Sequence, residues 1–289
     1  MSDSTKSDRN AGVSRRKVLE CMTWAGTGVL WTISGGVPLS LGIIDGALAA
    51  QPGKLTFLQI SDSHIGFDKP ANPNVIGTLE EAIAKVKSLP AKPSFMIHTG
   101  DITHLSKPAE FDNANRVISQ AGLDVHYVPG EHDFLDEGMK LYHDHYGRNA
   151  KGAGWYSFDA DGVHFIGLVN VVNLKAGGLG NLGEEQLKWL ADDLKGKSAE
   201  TPIVVFAHIP LWTVYEKWGW RTDWFCAICG IFCARSKKLR PGSVILGLPG
   251  VIIGPEPATA QAMSRRTVRR PPTSLEPPDW PTRWKPSKP

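Results

Sequence analysis

Cysteine is missing from the whole of residues 51–220. That stretch therefore folds without a disulfide in any compartment, and no thiolate metal site can be built inside it. Histidine is missing after residue 208, although the chain holds 9 of them. Imidazole chemistry is thus confined to residues 64–208. Long apolar runs are scarce, and the longest uncharged stretch with helical length is Met22–Ile44. Overall charge bias is lacking too, with 32 basic and 29 acidic residues and a net charge of +3. That balance hides a split. Residues 51–220 carry 15 basic and 21 acidic groups, whereas residues 221–289 carry 12 and 4. An acidic middle precedes a basic end, and no internal repeat is present. With 42% hydrophobic residues and 10 tryptophans, the chain can bury a sizeable core.

The N-terminus reads as an address. Arg15-Arg16 follows a polar start, the uncharged run from Met22 comes next, and "GALAAQPG" offers small residues at A-x-A spacing with a cleavage point near Ala50. The pattern resembles a twin-arginine signal, which implies export of a folded chain to the periplasm or outside the cell. The translocon is then a partner, and the membrane matters only during export. A membrane anchor is the alternative, since 23 uncharged residues are long enough to span a bilayer. Pro38 and the glycines of the run favour cleavage.

Residues 54–220 alternate between two periods. "KLTFLQI" (54–60), "SFMIH" (94–98), "VHYV" (125–128) and "PIVVFAH" (202–208) are short apolar runs with turn residues at their ends, which predicts buried strands. Val75, Ile76, Leu79, Ile83 and Val86 recur at helical spacing. Helices are also predicted over 108–122, closed by Gly122, over 136–146, and over 183–196. "WYSFDADGVHFIGLVN" (155–170) predicts a hairpin turning on "DADG". Alternating strands and helices imply an α/β fold.

In such folds functional groups gather past the carboxyl ends of strands. The first strand ends in "SDSH", with Asp62 and His64. The second ends in "HTGD", with Asp101. The third ends in "PGEHD", with Glu131, His132 and Asp133, and the last ends in His208. Carboxylate oxygen and neutral imidazole together suit Mn, Fe or Zn. Two such ions about 3.5–4 Å apart can clamp the attacking and leaving oxygens of a displacement at phosphorus. Each fragment is common alone, and their joint order after successive strands is the specific signal. His98 belongs to its strand, and His143 and His145 to a solvated helix face.

These blocks, "DSH" (62–64), "GD" (100–101), "GEHD" (130–133) and "AHIPL" (207–211), resemble the calcineurin-like metallophosphoesterases. The family pattern runs D-x-H, G-D, G-N-H-D/E, a lone H, then G-H-x-H, and the resemblance covers about residues 54–217. It implies a sandwich of two β-sheets flanked by helices, and two divalent or trivalent metal ions (Mn, Fe or Zn). It further implies hydrolysis of a phosphate mono- or diester by a water that the ions activate. Carried over by position, Asp62 and His64 hold one ion, Asp101 bridges, and Glu131 and His208 hold the other. His132 contacts the phosphate or protonates the leaving oxygen. Asp133 orients His132, and His104 stands behind the site or reaches substrate. No nucleic-acid partner is implied.

Two departures stand out. Residue 131 is Glu where the family usually has Asn, which adds negative charge to a site for an anionic substrate. The G-H-x-H block is absent, since no His follows His208. The fold is therefore expected to be incomplete at its C-terminal end. Three organisational units follow: a signal segment 1–50, an incomplete phosphoesterase domain 51–220, and a basic, Pro-rich tail 221–289 that reads as structureless, except that "SVILGLPGVIIG" (243–254) offers either a strand pair or a sticky exposed segment. That tail holds 11 of the 21 prolines and "CAICGIFC", three thiols with no fourth Cys or His behind them. Two readings of function stand: an impaired metallophosphoesterase, or a frame-altered member without hydrolase activity. A metal- or phosphate-binding module is a third. A reading-frame change near residues 218–222 accounts for the charge reversal, the loss of His and the missing block together. A native tail of a diverged member is the alternative. Sequencing the gene tests this. An alternative frame shortly downstream of codon 218 is expected to encode G-H-x-H, and its absence from both other frames would exclude the frame change.

Overall fold

The computed structural model describes residues 29–34, 37–43, 245–249 and 55–209, the last apart from 137–138, 149, 173, 175–179 and 199–200. Two sheets form. The first has the order β2 (Val37–Ile43), β1 (Val29–Ser34), β3 (Leu55–Ile60), β4 (Phe95–His98), β5 (Val125–Tyr127). The second has the order β6 (Tyr156–Ala160), β7 (Val163–Gly167), β8 (Ile203–Ala207), β9 (Ile245–Pro249). β3, β4 and β5 run parallel, as do β7, β8 and β9, whereas β1–β2, β1–β3 and β6–β7 are antiparallel.

Strand alternation explains the layers. In β3, Leu55 and Phe57 point to one face and Leu58 and Ile60 to the other. Leu55 and Phe57 join Phe95, Ile97, Val128, Val163, Phe165, Val204 and Phe206 in a core between the sheets. Leu58 and Ile60 pack with Leu79, Ile83, Phe111, Val117 and Tyr142 from three helices, α1 (Val75–Lys87), α2 (Pro108–Ile118) and α3 (Lys140–Tyr146). The outer face of the second sheet, through Ile166, Ile203 and Val205, takes Leu190 and Leu194 of α4 (Gly183–Lys195). Because both faces are covered, the parallel strands read as continuous apolar runs.

The predicted strands, the helices over 75–86, 108–122 and 183–196, and the hairpin are all present, the hairpin turning at Asp161 (φ 46°) and Gly162 (φ 77°). Gly122 closes α2 and its following 3₁₀ turn in the left-handed region. The helix predicted over 136–146 is present over Lys140–Tyr146, and residues 137–138 lie outside the described residues. Two expectations change. The boundary drawn at residue 50 does not coincide with the edge of the sheet. β1 and β2 fall inside the stretch read as a signal, with Trp31 and Ile33 buried in the inter-sheet core. The tail read as structureless contributes β9, whose Ile245–Pro249 pair in parallel with Ile203–Ala207. The remainder of 250–289 and the cysteines at 226–233 lie outside the described residues.

Phe57 sits at the centre of the sandwich, fully buried, with Phe95 stacked at 5.4 Å and Phe165 edge-on at 5.3 Å. Phe57→Ala is expected to cost about 3–5 kcal/mol through lost burial and a residual cavity. Urea denaturation of the metal-free chain measures this, and a loss below about 1 kcal/mol would contradict the packing described.

Candidate metal centre

The loops after β3, β4, β5 and β8 meet at one end of the sandwich. Backbone bonds lay the first two side by side: the amides of Asp62, His64 and Ile65 donate to the carbonyls of Gly100, Asp101 and Ile102 at 2.9–3.0 Å. Asp62, His64 and Asp101 all adopt left-handed backbone, at φ 56°, 42° and 52°. Such strain in non-glycine residues persists only where the surroundings enforce it, and it gathers at functional sites. Two glycines make the approach possible. A Cβ on Gly100 would lie 2.7 Å from His208 Nδ1, and one on Gly130 would lie 2.0 Å from Asp101 Oδ1.

Asp101 Oδ2 lies between two imidazoles, 3.4 Å from His64 Nε2 and 3.6 Å from His208 Nε2. Its Oδ1 accepts the backbone N–H of His132 at 3.0 Å. The second nitrogen of His208 is committed, since Nδ1–H donates to the Thr99 carbonyl at 2.9 Å. This fixes the tautomer and turns the Nε2 lone pair toward the carboxylates, the usual arrangement of a metal-binding histidine. Ligand atoms of Asp62, Asp101 and His208 lie within 4.8 Å of one another. Glu131 Oε2 comes within 2.9 Å of His208 Nε2. That pair lacks hydrogen-bond alignment, so Glu131 Oε2 remains a buried oxygen without a hydrogen bond, as does His64 Nδ1. Converging, desolvated oxygens and imidazole nitrogens of this type fit a divalent cation.

The electrostatics agree with the geometry. Burial pushes Asp62 up to about 6, against the pull of His208. Burial likewise holds Asp101 well above the ordinary carboxylate range. His64 is pushed down to about 3 by burial and by the neighbouring His132, His208 and His104, which leaves it neutral. Burial opposes a charge on His208, but Asp101, Glu131 and Asp62 outweigh it and hold its proton well above 6.5. Burial also works to raise Glu131, but the close His208 imidazole draws its carboxyl down to about 2. Three carboxylates share one end of a buried pocket, and a proton on His208 stands where a cation would otherwise balance them.

His132 is held differently from the expectation. Its Nδ1–H donates to the backbone carbonyl of His104 at 2.7 Å, and the His104 ring stacks on it at 5.0 Å. Asp133 was expected to orient His132, but its fully buried carboxylate is spent on other donors. It accepts from the amides of Ile102 (3.1 Å), Thr103 (2.8 Å) and Gly130 (2.9 Å) and from the Thr103 hydroxyl (3.0 Å). Asp133 therefore staples the Gly130 turn to the loop after Asp101, and acts on His132 only through the backbone. Ser106 helps: its hydroxyl donates to the His132 carbonyl at 2.8 Å and accepts the Leu135 amide at 2.9 Å. Thr99, Thr103 and Ser106 were not singled out from sequence, because hydroxyls beside ligands carry no spacing signature. His98 is buried in β4 with its Nε2 3.0 Å from Ser63 Oγ, as expected for a strand residue.

Comparison with known proteins bears on this site. A family model described as calcineurin-like phosphoesterase matches residues 55–231. A curated relative from Arcobacter nitrofigilis, named "Probable glycerophosphodiester phosphodiesterase GpdQ", is 24% identical over 156 residues. The match covers 53% of this chain and 56% of the relative, so the chain spans little more than half of that relative's length. Among solved structures, a dimetal phosphatase from Danio rerio superposes with a TM-score of 0.54 at 14% identity, over 70% of this chain and 89% of that one. That likeness concerns the fold.

Ligands bind metal only after losing their protons. Asp62 near 6 and the proton on His208 therefore oppose loading at low pH. Mn²⁺ affinity is expected to rise as pH passes upward through about 6, with net proton release at pH 7. Titration calorimetry in two buffers of different ionisation enthalpy reads that release directly. Heats that do not depend on the buffer would contradict the assignment of these groups as ligands.

Proposed function

The chain belongs to the calcineurin-like phosphoesterase family, and we propose that it hydrolyses a phosphate mono- or diester at a dinuclear centre held by Asp62, His64, Asp101, Glu131 and His208. The observation that carries this reading is the single Asp101 oxygen set between the Nε2 atoms of His64 and His208. One carboxylate reaching two imidazoles from different loops is the geometry a bridging ligand needs. Metal ions bound there supply Lewis acidity to the phosphoryl group and activation of the attacking water.

The chain's own residues do the rest. Neutral His64, and the Thr99-anchored His208 once its Nε2 proton has left, present Nε2 lone pairs. His132, with Nδ1–H committed to the His104 carbonyl, keeps Nε2 for the phosphate or for the leaving oxygen. Buried Asp133 fixes the turn that carries both Glu131 and His132. The curated relative's name makes a glycerol phosphodiester the first natural substrate to try.

Export is part of the proposal. Arg15-Arg16 and the small residues before Ala50 support twin-arginine translocation to the periplasm or beyond. Among the described residues, no helix is long and apolar enough to cross a membrane. Cleavage near Ala50 would remove β1 and β2 from the first sheet.

A second reading, a family member without hydrolase activity, is favoured by one observation. The sequence holds no imidazole beyond His208, so each ion keeps three protein ligands. A bis-aryl phosphate with added Mn²⁺ separates the two. Turnover is expected in the wild-type chain, with a loss of at least about 10³-fold in Asp101→Asn and about 10²–10⁴-fold in His132→Ala. Absence of turnover together with absence of bound metal would decide for the inactive member.

A further inference from the structure

Beside the carboxylate-rich cluster stands a second group of donors with no carboxylate in it: His64, His104 and His132. One nitrogen from each lies within 4.8 Å of the others. The ring centroids are 4.8 Å apart for His64–His132, 5.0 Å for His104–His132 and 5.6 Å for His64–His104. His104 comes from the loop after β4, three residues past Asp101, and none of the family-pattern blocks includes it.

The hydrogen bonding of the three rings is incomplete in a consistent way. His132 uses Nδ1 on the His104 carbonyl, which leaves Nε2 as its donor. His64 Nδ1 and His104 Nδ1 are both shielded from solvent and make no hydrogen bond. Buried imidazole nitrogens are ordinarily paired, so two orphans in one three-ring cluster need an explanation. Aromatic packing does not provide it. Phe67 closes one side of His104 edge-on at 5.2 Å, but it offers no polar atom.

We propose that His64, His104 and His132 form a separate site for a borderline divalent cation, Zn²⁺ or its relatives, distinct from the dinuclear centre and in competition with it. Three neutral imidazoles with an open fourth position are a favoured zinc donor set. Zn–N bonds of about 2.0–2.1 Å place such donors about 3.3 Å apart, so the rings need to close by roughly 1–1.5 Å. Occupation withdraws His64 from the Asp101 bridge and His132 Nε2 from the leaving oxygen. Excess zinc then inhibits the chain. Binding itself does not rest on the proposed hydrolase function; only the inhibitory consequence does.

Co²⁺ is the probe, because four-coordinate Co²⁺ gives intense visible bands. The full chain is used with Cys21, Cys226, Cys229 and Cys233 replaced by Ser, so that thiolates cannot contribute. Asp101→Asn is added to disable the dinuclear centre, and Asp62→Asn serves as the second background should the first not fold. One equivalent of Co²⁺ with four-coordinate bands is expected. X-ray absorption of the zinc form is expected to count three imidazoles. Both His104→Ala and His104→Gln, which keep the backbone carbonyl that holds His132, are expected to abolish the bands. Bands that persist in both variants, or that never form in either background, overturn the proposal. In the Mn²⁺-loaded wild-type chain, inhibition by excess Zn²⁺ is expected to disappear in His104→Ala. If no hydrolysis is found at all, the Co²⁺ result still decides the site, so the two readings fail separately.

Discussion

Asp101 is the point that the four ligand loops share. Its carbonyl accepts the His64 amide, its Oδ1 accepts the His132 amide, and its Oδ2 faces His64 and His208. Its backbone is left-handed, and Gly130 packs so close that a methyl group there would overlap the carboxylate. A side chain placed this tightly has almost no freedom to move. Position therefore comes from the loops, and the candidate ligands are organised by the fold itself. Preorganisation of this kind is what metal sites need, because loose donors lose affinity to their own entropy.

The cost of that arrangement is electrostatic. Asp62, Asp101 and Glu131 crowd a buried strand edge, and Asp133 lies directly beneath. Buried like charges repel strongly, and desolvation adds to the penalty. Asp133 is satisfied by four donors, so its charge is tied into structure. The other three have fewer donors, and His208 is the group whose charge offsets all of them. A polar chain runs from that imidazole back into the core. His208 donates to the Thr99 carbonyl, the Thr99 hydroxyl accepts from Gln59, and Gln59 accepts from the Trp31 indole. The strand pair outside the predicted domain is thereby joined to a ligand of the centre.

Much of this was legible in the sequence, for physical reasons. Strands β3, β4 and β8 have both faces buried, so they read as short unbroken apolar runs. The helices cover one face and show 3.6-residue spacing. The candidate ligands are legible because each follows a strand end, where an α/β fold exposes its functional edge. Other features carried no local signature. The partner of the His132 ring is a backbone carbonyl 28 residues away, which any residue type at 104 would supply. The donors to Asp133, three amides and the Thr103 hydroxyl, carry no sequence pattern, whereas the family resemblance pairs this acid with the adjacent imidazole. β1 and β2 fall within the stretch that reads as a signal, because "VLWTIS" and "VPLSLGI" are uncharged and apolar, a composition that a signal segment and a strand pair share.

The last strand bears on how far the centre can be completed. β9 runs parallel to β8, with Pro249 in register with Ala207, the residue before His208. Its carboxyl end therefore emerges at the same sheet edge as the ligands. Donors delivered just past β9 would enter the neighbourhood of His208 by the same rule that delivers His208 past β8. The sequence at that point is Gly250-Val251-Ile252-Ile253, which has no group able to bind a cation. The register thus sets a position for further donors just past Pro249. Glu131 adds a third carboxylate beside Asp62 and Asp101, which favours a cation at this sheet edge. That same charge works against an anionic ligand, so the two demands pull the site in opposite directions.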